Sequence, residues 1–314
     1  MRLRLGMLLV PSSTPQLNRL KRSSVFMRTS RFVSALTVAA VVGMSTLAHA
    51  QAPAAGAPRP GGGFNRVHPE PIDWDNHEGW TSLFDGKNMT GWEGASDVWH
   101  VEDGLIVGVS SDANPSGTTN LIYKPQEFAN FRLRVDFKME GAGANGGIQY
   151  RSRMSPPLPR TVPPDATPEV KARMEKQAEL SKKRAEWAMA GYQADFNYAG
   201  QYVGQLYEQS SMRGIMTFPG EMAAFEGNGL KPRQIGLAAT PDEVKGWYKK
   251  DDWNQLEIIA DGHTLTHLLN GHIVAVTIDT DPAKMAAKGL IALEIEGGGT
   301  LKISHKNIYI KKLP

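Results

Sequence analysis

From residue 131 to residue 140 the chain alternates with a period of two. Phe131, Leu133, Val135, Phe137 and Met139 are apolar, and Arg132, Arg134, Asp136, Lys138 and Glu140 between them are charged. Successive side chains of a strand point to opposite faces, so this run is a strand with one buried and one wet face, as antiparallel sheets have. Other stretches fit the same architecture. Residues 98–107 read as a hairpin turning at Asp103-Gly104. Residues 253–279 read as a meander turning at Asp261-Gly262 and Asn270-Gly271, dipeptides that tolerate the positive φ of tight hairpin turns. Leu83 with Phe84, residues 120–123 and residues 289–296 add short strands. Near the C-terminus Leu301, Ile303 and His305 fall on odd positions but Ile308 and Ile310 on even ones, which predicts a bulge near Lys306-Asn307. About a dozen strands, abundant glycine (32) and proline (20), and no βαβ rhythm predict an all-β sandwich.

Two segments depart from this pattern. Residues 1–50 carry seven Lys or Arg and no acid, and an apolar run from Phe32 to Met44 leads to Ala48-His49-Ala50, a small-x-small cleavage pattern. The expectation is a signal peptide over 1–50 cleaved after Ala50, with Met27 as an alternative true start. That implies a periplasmic, cell-surface or secreted protein without a stable membrane span after cleavage. The run is too short and too rich in Ala, Gly and Ser to favour a membrane anchor. Residues 51–73 are an Ala/Pro/Gly-rich linker, and 74–314 form the sandwich domain. Removing the seven basic residues of the signal from the chain's 35, against 32 acids, leaves a net charge of about −4. Charge therefore offers no case for nucleic-acid binding. The absence of cysteine excludes disulfides and thiolate metal sites. Residues 154–190 are a proline-rich and helical insertion. Thr167 is a candidate N-cap with Pro168 at the first helical position, and a charged helix with a thin apolar stripe runs to about Ala188. It reads as a lid, a docking surface or, by default, a solvated excursion.

Candidate site residues concentrate in residues 191–215. Tyr192, Gln193, Asp195, Tyr207, Glu208 and Arg213 lie there between glycines. Gln193 and Asp195, like Gln205 and Tyr207, have the spacing that shares one strand face. Such a wall of carboxylate, phenol and amide groups suits a sugar-binding cleft, and it equally suits the polar outer face of a sheet. Gln149, Arg151 and Arg153 share a face of the strand that follows the glycine loop 141–147. That loop opens no helix, so it is not a phosphate loop. The eight histidines show no metal-binding spacing on a helix. His263 and His267, four apart on a strand, read as solvated. No Gly-x-Ser-x-Gly elbow is present.

Several of these motifs, taken in order, resemble one family. They are Leu83-Phe84-Asp85-Gly86 with Gly91-Trp92, Trp99 with Val101-Glu102-Asp103-Gly104, and Gly147-Ile148-Gln149-Tyr150-Arg151-Ser152-Arg153. Gly191-Tyr192-Gln193-Ala194-Asp195, Leu206-Tyr207-Glu208 with Arg213-Gly214, Trp253-Asn254, Asn270-Gly271 and Lys306-Asn307-Ile308 follow. The chain from Trp80 to Leu313 is similar to the 3-keto-disaccharide hydrolase domain family. The resemblance implies a concanavalin-like jelly-roll β-sandwich, here with one helical insertion, related to lectins and glucanases. It implies a hydrolase or lyase acting on 3-keto-glycosides, with a carbohydrate substrate. A 3-keto group acidifies the C2 proton. A base removes it, the C1 substituent leaves by elimination, and water addition completes a net hydrolysis. On that reading Asp195 or Glu208 is base or acid, Arg151 and Arg213 hold the oxyanion with Tyr207 assisting, and Gln149, Tyr192, Gln193, Arg153 and Glu294 meet the substrate. No cofactor or metal is implied. Sandwiches of this kind can carry a structural calcium, but no Asp-rich loop demands one. The chain departs from the family at Ala292-Leu293-Glu294-Ile295-Glu296, where relatives commonly read Ala-Leu-Gln-x-His, and at His305, where an aromatic residue is usual. A non-catalytic, lectin-like glycan-binding module is the alternative, and a direct two-carboxylate glycosidase is a second mechanism.

Overall fold

The computed structural model describes residues 75–156, 162–297 and 299–314. The expected signal peptide and linker lie outside the described residues. The described elements, in chain order, begin with β1 (Thr81–Ser82), β2 (Trp92–Glu93), β3 (Trp99–Glu102), β4 (Leu105–Ser110), β5 (Gly117–Phe128), β6 (Phe131–Glu140) and β7 (Asn145–Met154). Helix α1 (Pro168–Lys183) and a 3-10 turn (Ala185–Trp187) follow, then β8 (Met189–Asn197), β9 (Leu206–Gln209), β10 (Gly214–Thr217), β11 (Glu221–Phe225) and β12 (Arg233–Leu237). Helix α2 (Pro241–Trp247), β13 (Asn254–Asp261), β14 (Thr264–Leu269), β15 (His272–Asp279), β16 (Gly289–Gly297) and β17 (Leu301–Lys312) complete the chain.

The strands form two sheets. The first has the order β12-β11-β15-β14-β13-β6-β17-β4-β3, with β1 added on β17, and the second has the order β10-β9-β8-β7-β16-β5-β2. Every pair is antiparallel except β11 with β15. The chain crosses between the layers from β4 through β5 and β6 to β7, and again from β15 through β16 to β17, so the fold is the jelly-roll sandwich expected from the sequence. The alternation of β6 does what its period requires. Its five apolar side chains are all within 1% of full burial and meet Tyr150, Tyr192, Phe196 and Leu293 of the second sheet. Phe137 stacks on Phe196 with ring centroids 4.2 Å apart. Fully burying side chains of this size is worth roughly 1.5–3 kcal/mol each, so this face anchors the sandwich.

The predicted turns form at Asp103-Gly104 and Asn270-Gly271, all four residues at positive φ. The phase change near the C-terminus is a register shift between Lys306 and Tyr309, with Asn307 at φ +50°. One expectation of the fold is corrected. His267 is not solvated: it lies fully buried between the sheets, with Nδ1 2.9 Å from the Gly204 carbonyl oxygen and Nε2 2.9 Å from the Tyr150 hydroxyl. Burial pushes its pKa down to about 4, so it stays neutral. The stretch 218–250, whose sequence shows no regular period, nonetheless holds β11, β12 and α2.

Candidate active site

The polar residues singled out in the sequence divide between the two faces of the second sheet. On β8, Tyr192, Ala194 and Phe196 point into the core, which leaves Gln193 and Asp195 on the outer face. Register extends this outer row across the sheet. Gln193 lies opposite Gln149 on one side and Tyr207 on the other, and Gly147 lies between Asp195 and Glu294. The outer face therefore gathers Gln149, Gln193, Asp195, Tyr207 and Glu294. Glu296 follows two residues along β16, opposite Asn145.

A directed chain of amides holds this face. Ser152 Oγ donates to Gln149 Oε1 (2.8 Å), Gln149 Nε2 donates to Gln193 Oε1 (2.8 Å), and Gln193 Nε2 donates to Glu294 Oε2. Gln209 Nε2 reaches the other oxygen of Glu294 at 3.3 Å. The crossing from β8 to β16 depends on Gly147, which has no side chain: a Cβ there would fall 2.7 Å from Gln193 Cγ. Asp195 accepts from Gln205 Nε2 (2.9 Å). Glu296 accepts from Asn145 Nδ2 (3.1 Å), and Asn145 Oδ1 accepts from the Tyr202 hydroxyl (3.0 Å).

Three carboxylates thus share one face. Among the described residues no Lys, Arg or His forms an ion pair with any of them. Desolvation and like charge both disfavour ionisation in that setting. Burial, opposed by the Gln205 hydrogen bond and reinforced by Glu296, pushes the Asp195 carboxyl up to about 7. Burial first, then the charges of Glu296 and Asp195, hold Glu294 well above the usual carboxylate range. Burial and the same three carboxylates push the Tyr202 phenol up to about 12.

The other predicted residues lie elsewhere. Arg151, expected to share a face with Gln149 and Arg153, sits in a β-bulge at φ +45°, where register slips between Tyr150 and Arg153. The extra residue turns its side chain away. Its guanidinium donates to the carbonyls of Ala129 (2.7 Å), Gly262 (2.8 Å) and Ala286 (3.3 Å) and to Asn130 Oδ1 (3.1 Å). Arg151 therefore ties β7 to loops of the other sheet. Arg153, opposite Ala190, is exposed beyond the bulge. Glu208 pairs in register with Tyr192 and so takes the core side of β9. There Arg213 grips it through both oxygens (2.8 and 2.5 Å) and reaches Asp279 Oδ2 (2.8 Å), which also accepts from the Tyr192 hydroxyl (2.5 Å). Burial alone would lower the Arg213 pKa, but Glu208 and Asp279 hold it raised. This cluster locks the two sheets together, and Asp279, which completes it, carried no sequence signal of its own.

The insertion borders the outer face. Trp187 packs on Ile122, Met189 and Ala292, and its carbonyl accepts from Asn120 Nδ2 (2.9 Å). Arg184 clamps the Asp97 carboxylate through two nitrogens (2.6 and 3.0 Å) and donates to the Ser116 carbonyl (3.0 Å). A groove of about 250 Å³ runs between α1 and the rim formed by Gly117, Thr118, Glu296 and Gly297. A larger cavity of about 680 Å³ opens between β10 and the β11–β12 hairpin. It is bordered by Arg213 but by none of the three carboxylates.

The chain is similar to several known proteins. Over 88 residues the chain is 34% identical to a 3-keto-disaccharide hydrolase of Bacteroides thetaiotaomicron, a match covering 26% of this chain. The chain spans 29% of that relative's length, less than a third. Among solved structures, it is similar to a Parabacteroides distasonis protein provisionally named a glycosyl hydrolase, at 19% identity and a TM-score of 0.43, covering 76% of this chain and 95% of that one. It is also similar to the carbohydrate binding module CBM66 from Bacillus subtilis, at 13% identity and a TM-score of 0.40, covering 71% and 96%. The model of the 3-keto-alpha-glucoside-1,2-lyase-like domain matches residues 79–311, nearly all of the described chain. The chain belongs to the 3-keto-alpha-glucoside-1,2-lyase-like domain family, a carbohydrate-acting family.

Proposed function

We propose that the protein cleaves 3-keto-glycosides on the outer face of the second sheet, with Asp195 as base and Glu294 as a neutral acid. The observation that carries this reading is the pair of carboxyl groups on one face, both pushed up by burial and like charge and without a cation partner among the described residues. Titratable groups whose surroundings separate their pKa values make an acid–base pair. Asp195, near 7, is ionised in a large fraction at neutral pH and can take the C2 proton. Glu294 keeps its proton and donates a hydrogen bond to the C3 oxygen as negative charge collects there, a role a desolvated carboxylic acid fills well. The enolate then collapses, the C1–O bond breaks, and the departing oxygen takes the proton now on Asp195. Water adds to the resulting double bond, so one glycoside and one water yield two sugars. The amide chain through Gln149 and Gln193 fixes Glu294, and Tyr207 borders the site. Arg151, Arg213, Glu208 and Tyr192 support the sheet in this reading and do not touch substrate.

The test is cleavage of a 3-keto-glucoside by Asp195→Asn and Glu294→Gln. Asp195→Asn should lose at least about 100-fold in kcat/KM, the low end for general acid–base catalysis. Glu294→Gln should lose less, because an amide still donates. Undiminished turnover by Asp195→Asn sinks the assignment. Cleavage of unoxidised glycosides would instead indicate a two-carboxylate glycosidase, and glycan binding without turnover a lectin-like module. We also propose that the protein works outside the cytoplasm, on the strength of the signal-like pattern in residues 1–50; recovery of the full-length chain only in the cytosolic fraction of its host would overturn this.

A further inference from the structure

The groove between α1 and the sheet rim adjoins the proposed carboxylate centre. Glu296, which lines it, follows Glu294 by two residues on β16. At roughly 3.4 Å per residue that places it about 7 Å further along the strand, on the same face. A ligand seated at Asp195 and Glu294 therefore extends into the groove with its next unit.

The lining carries both hydrogen-bonding signs. Arg173, Lys176 and Gln177 come from the helix, and Thr118 and Glu296 from the sheet. Neither Arg173 nor Lys176 makes an ion pair among the described residues, so their donors are available. Glu296 spends one oxygen on Asn145. Leu180 lies in the same groove, its Cβ 3.2 Å from where a Cβ on Gly117 would be, so a strip without side chains faces an aliphatic one. Donors and acceptors of opposite charge around a small apolar strip suit a polyhydroxylated ring with an apolar C–H face. They suit a simple anion or cation less well, since either would meet a like charge. The helix is also fixed in place. Lys183 and Arg184 at its end bind Asp97, and Trp187 is packed on the sheet. Yet α1 itself buries no residue. A charged helix with nothing buried, held this firmly beside a polar cleft, is placed as a wall.

We propose that this groove is the subsite for the leaving sugar of a disaccharide: a neutral hexose unit, gripped by Arg173, Lys176 and Glu296. The inference rests on the reading of the outer face as the site of bond cleavage, and it makes the insertion the element that selects disaccharides over simple glycosides.

Binding of unoxidised ligands tests this without turnover. The protein is titrated calorimetrically with a glucosyl disaccharide and with methyl glucoside, as wild type, as the double variant Arg173→Ala/Lys176→Ala, and as Lys171→Ala, an exposed α1 change outside the groove. The wild type should bind the disaccharide more tightly than methyl glucoside. The double variant should lose about tenfold in disaccharide affinity, the scale of a charge-assisted hydrogen bond, and the preference should collapse. Lys171→Ala should keep it. Equal affinity of the wild type for the two ligands, or an undiminished preference in the double variant, overturns the subsite. Because α1 buries nothing, these substitutions leave the core intact. If 3-keto-glycosides are not turned over while the disaccharide preference holds, the catalytic reading fails and the groove remains a sugar-binding site, not that of a leaving group.

Discussion

Gly147 shows how much one missing side chain decides. The Gln193 amide occupies the space above it and from there reaches Glu294. Gly147→Ala should displace that amide and misplace the proposed acid, lowering kcat on a 3-keto-glucoside about tenfold or more while the melting temperature moves only a few degrees; an unchanged kcat would show that the Gln193–Glu294 contact is dispensable. Glu208 behaves in the opposite way. It and Arg213 are nearly buried and hydrogen-bonded through both carboxylate oxygens. Breaking a buried pair typically costs about 3–5 kcal/mol, and here Arg213 would keep only Asp279. Glu208→Gln should therefore appear as a loss of stability in denaturant melts, with kcat kept by the molecules that remain folded. Full stability with a 100-fold fall in kcat would restore Glu208 to the catalytic centre.

Among the secondary elements, the strands were legible and the bulges only in part. The period-two pattern marks β6, β13, β14 and β15, because half-buried strands must alternate. The phase change at Lys306-Asn307 betrayed one bulge, since apolar residues on both sides of it recorded the slip. The bulge at Arg151 left no such record: polar residues flank it, and their polarity does not say which face they occupy. The start of helix α2 is legible in the sequence. Thr240-Pro241-Asp242-Glu243 is a capping-box sequence, and in the structure Thr240 Oγ1 accepts from the Glu243 N–H while the Glu243 carboxylate accepts from the Thr240 N–H (2.8 Å). Thr240→Ala should cost about 1 kcal/mol, measurable by urea titration; a cost below a few tenths would show that the cap is idle and that Val244 packing alone holds the helix. The start of α1 follows the same logic, with Thr167 accepting from the Val170 N–H and Pro168 opening the first turn.

For the folded protein taken together, the raised carboxyls set a pH signature. Asp195 titrates near 7 when folded and near 3.8 when unfolded. Below about pH 4 both states hold the proton and the group contributes nothing. As pH rises toward 7 the unfolded chain ionises first, so stability falls through that window and levels off above it. The total is on the order of a few kcal/mol, from about 1.4 kcal/mol per pKa unit. Wild-type melting temperature, followed from pH 4 to 8, should therefore carry a downward term that Asp195→Asn removes. His267 contributes the opposite slope, because its lowered pKa costs stability as pH falls from about 6.5 through about 4. Activity should run against the Asp195 stability term, with kcat/KM rising through about pH 7 as the base ionises. An identical pH–stability curve in Asp195→Asn would show that its carboxyl is not desolvated as described.

The sequence by itself determined the sandwich, its hairpin turns and the start of the insertion helix, because period, turn dipeptides and caps act over a few residues. It also placed Gln193 and Asp195 on one face, by the same short-range rule. Only the tertiary structure decided which polar residues belong together. Tyr192 and Glu208 stand beside Gln193 and Tyr207 in the chain yet occupy the core side, where Asp279 of the other sheet meets Tyr192 directly and Glu208 through Arg213. Glu294 joins Asp195 across a strand whose one contribution at that row is a glycine. Which face of a strand is wet, and which carboxyls share it, depends on what the other layer covers, and residues about a hundred positions apart settle that.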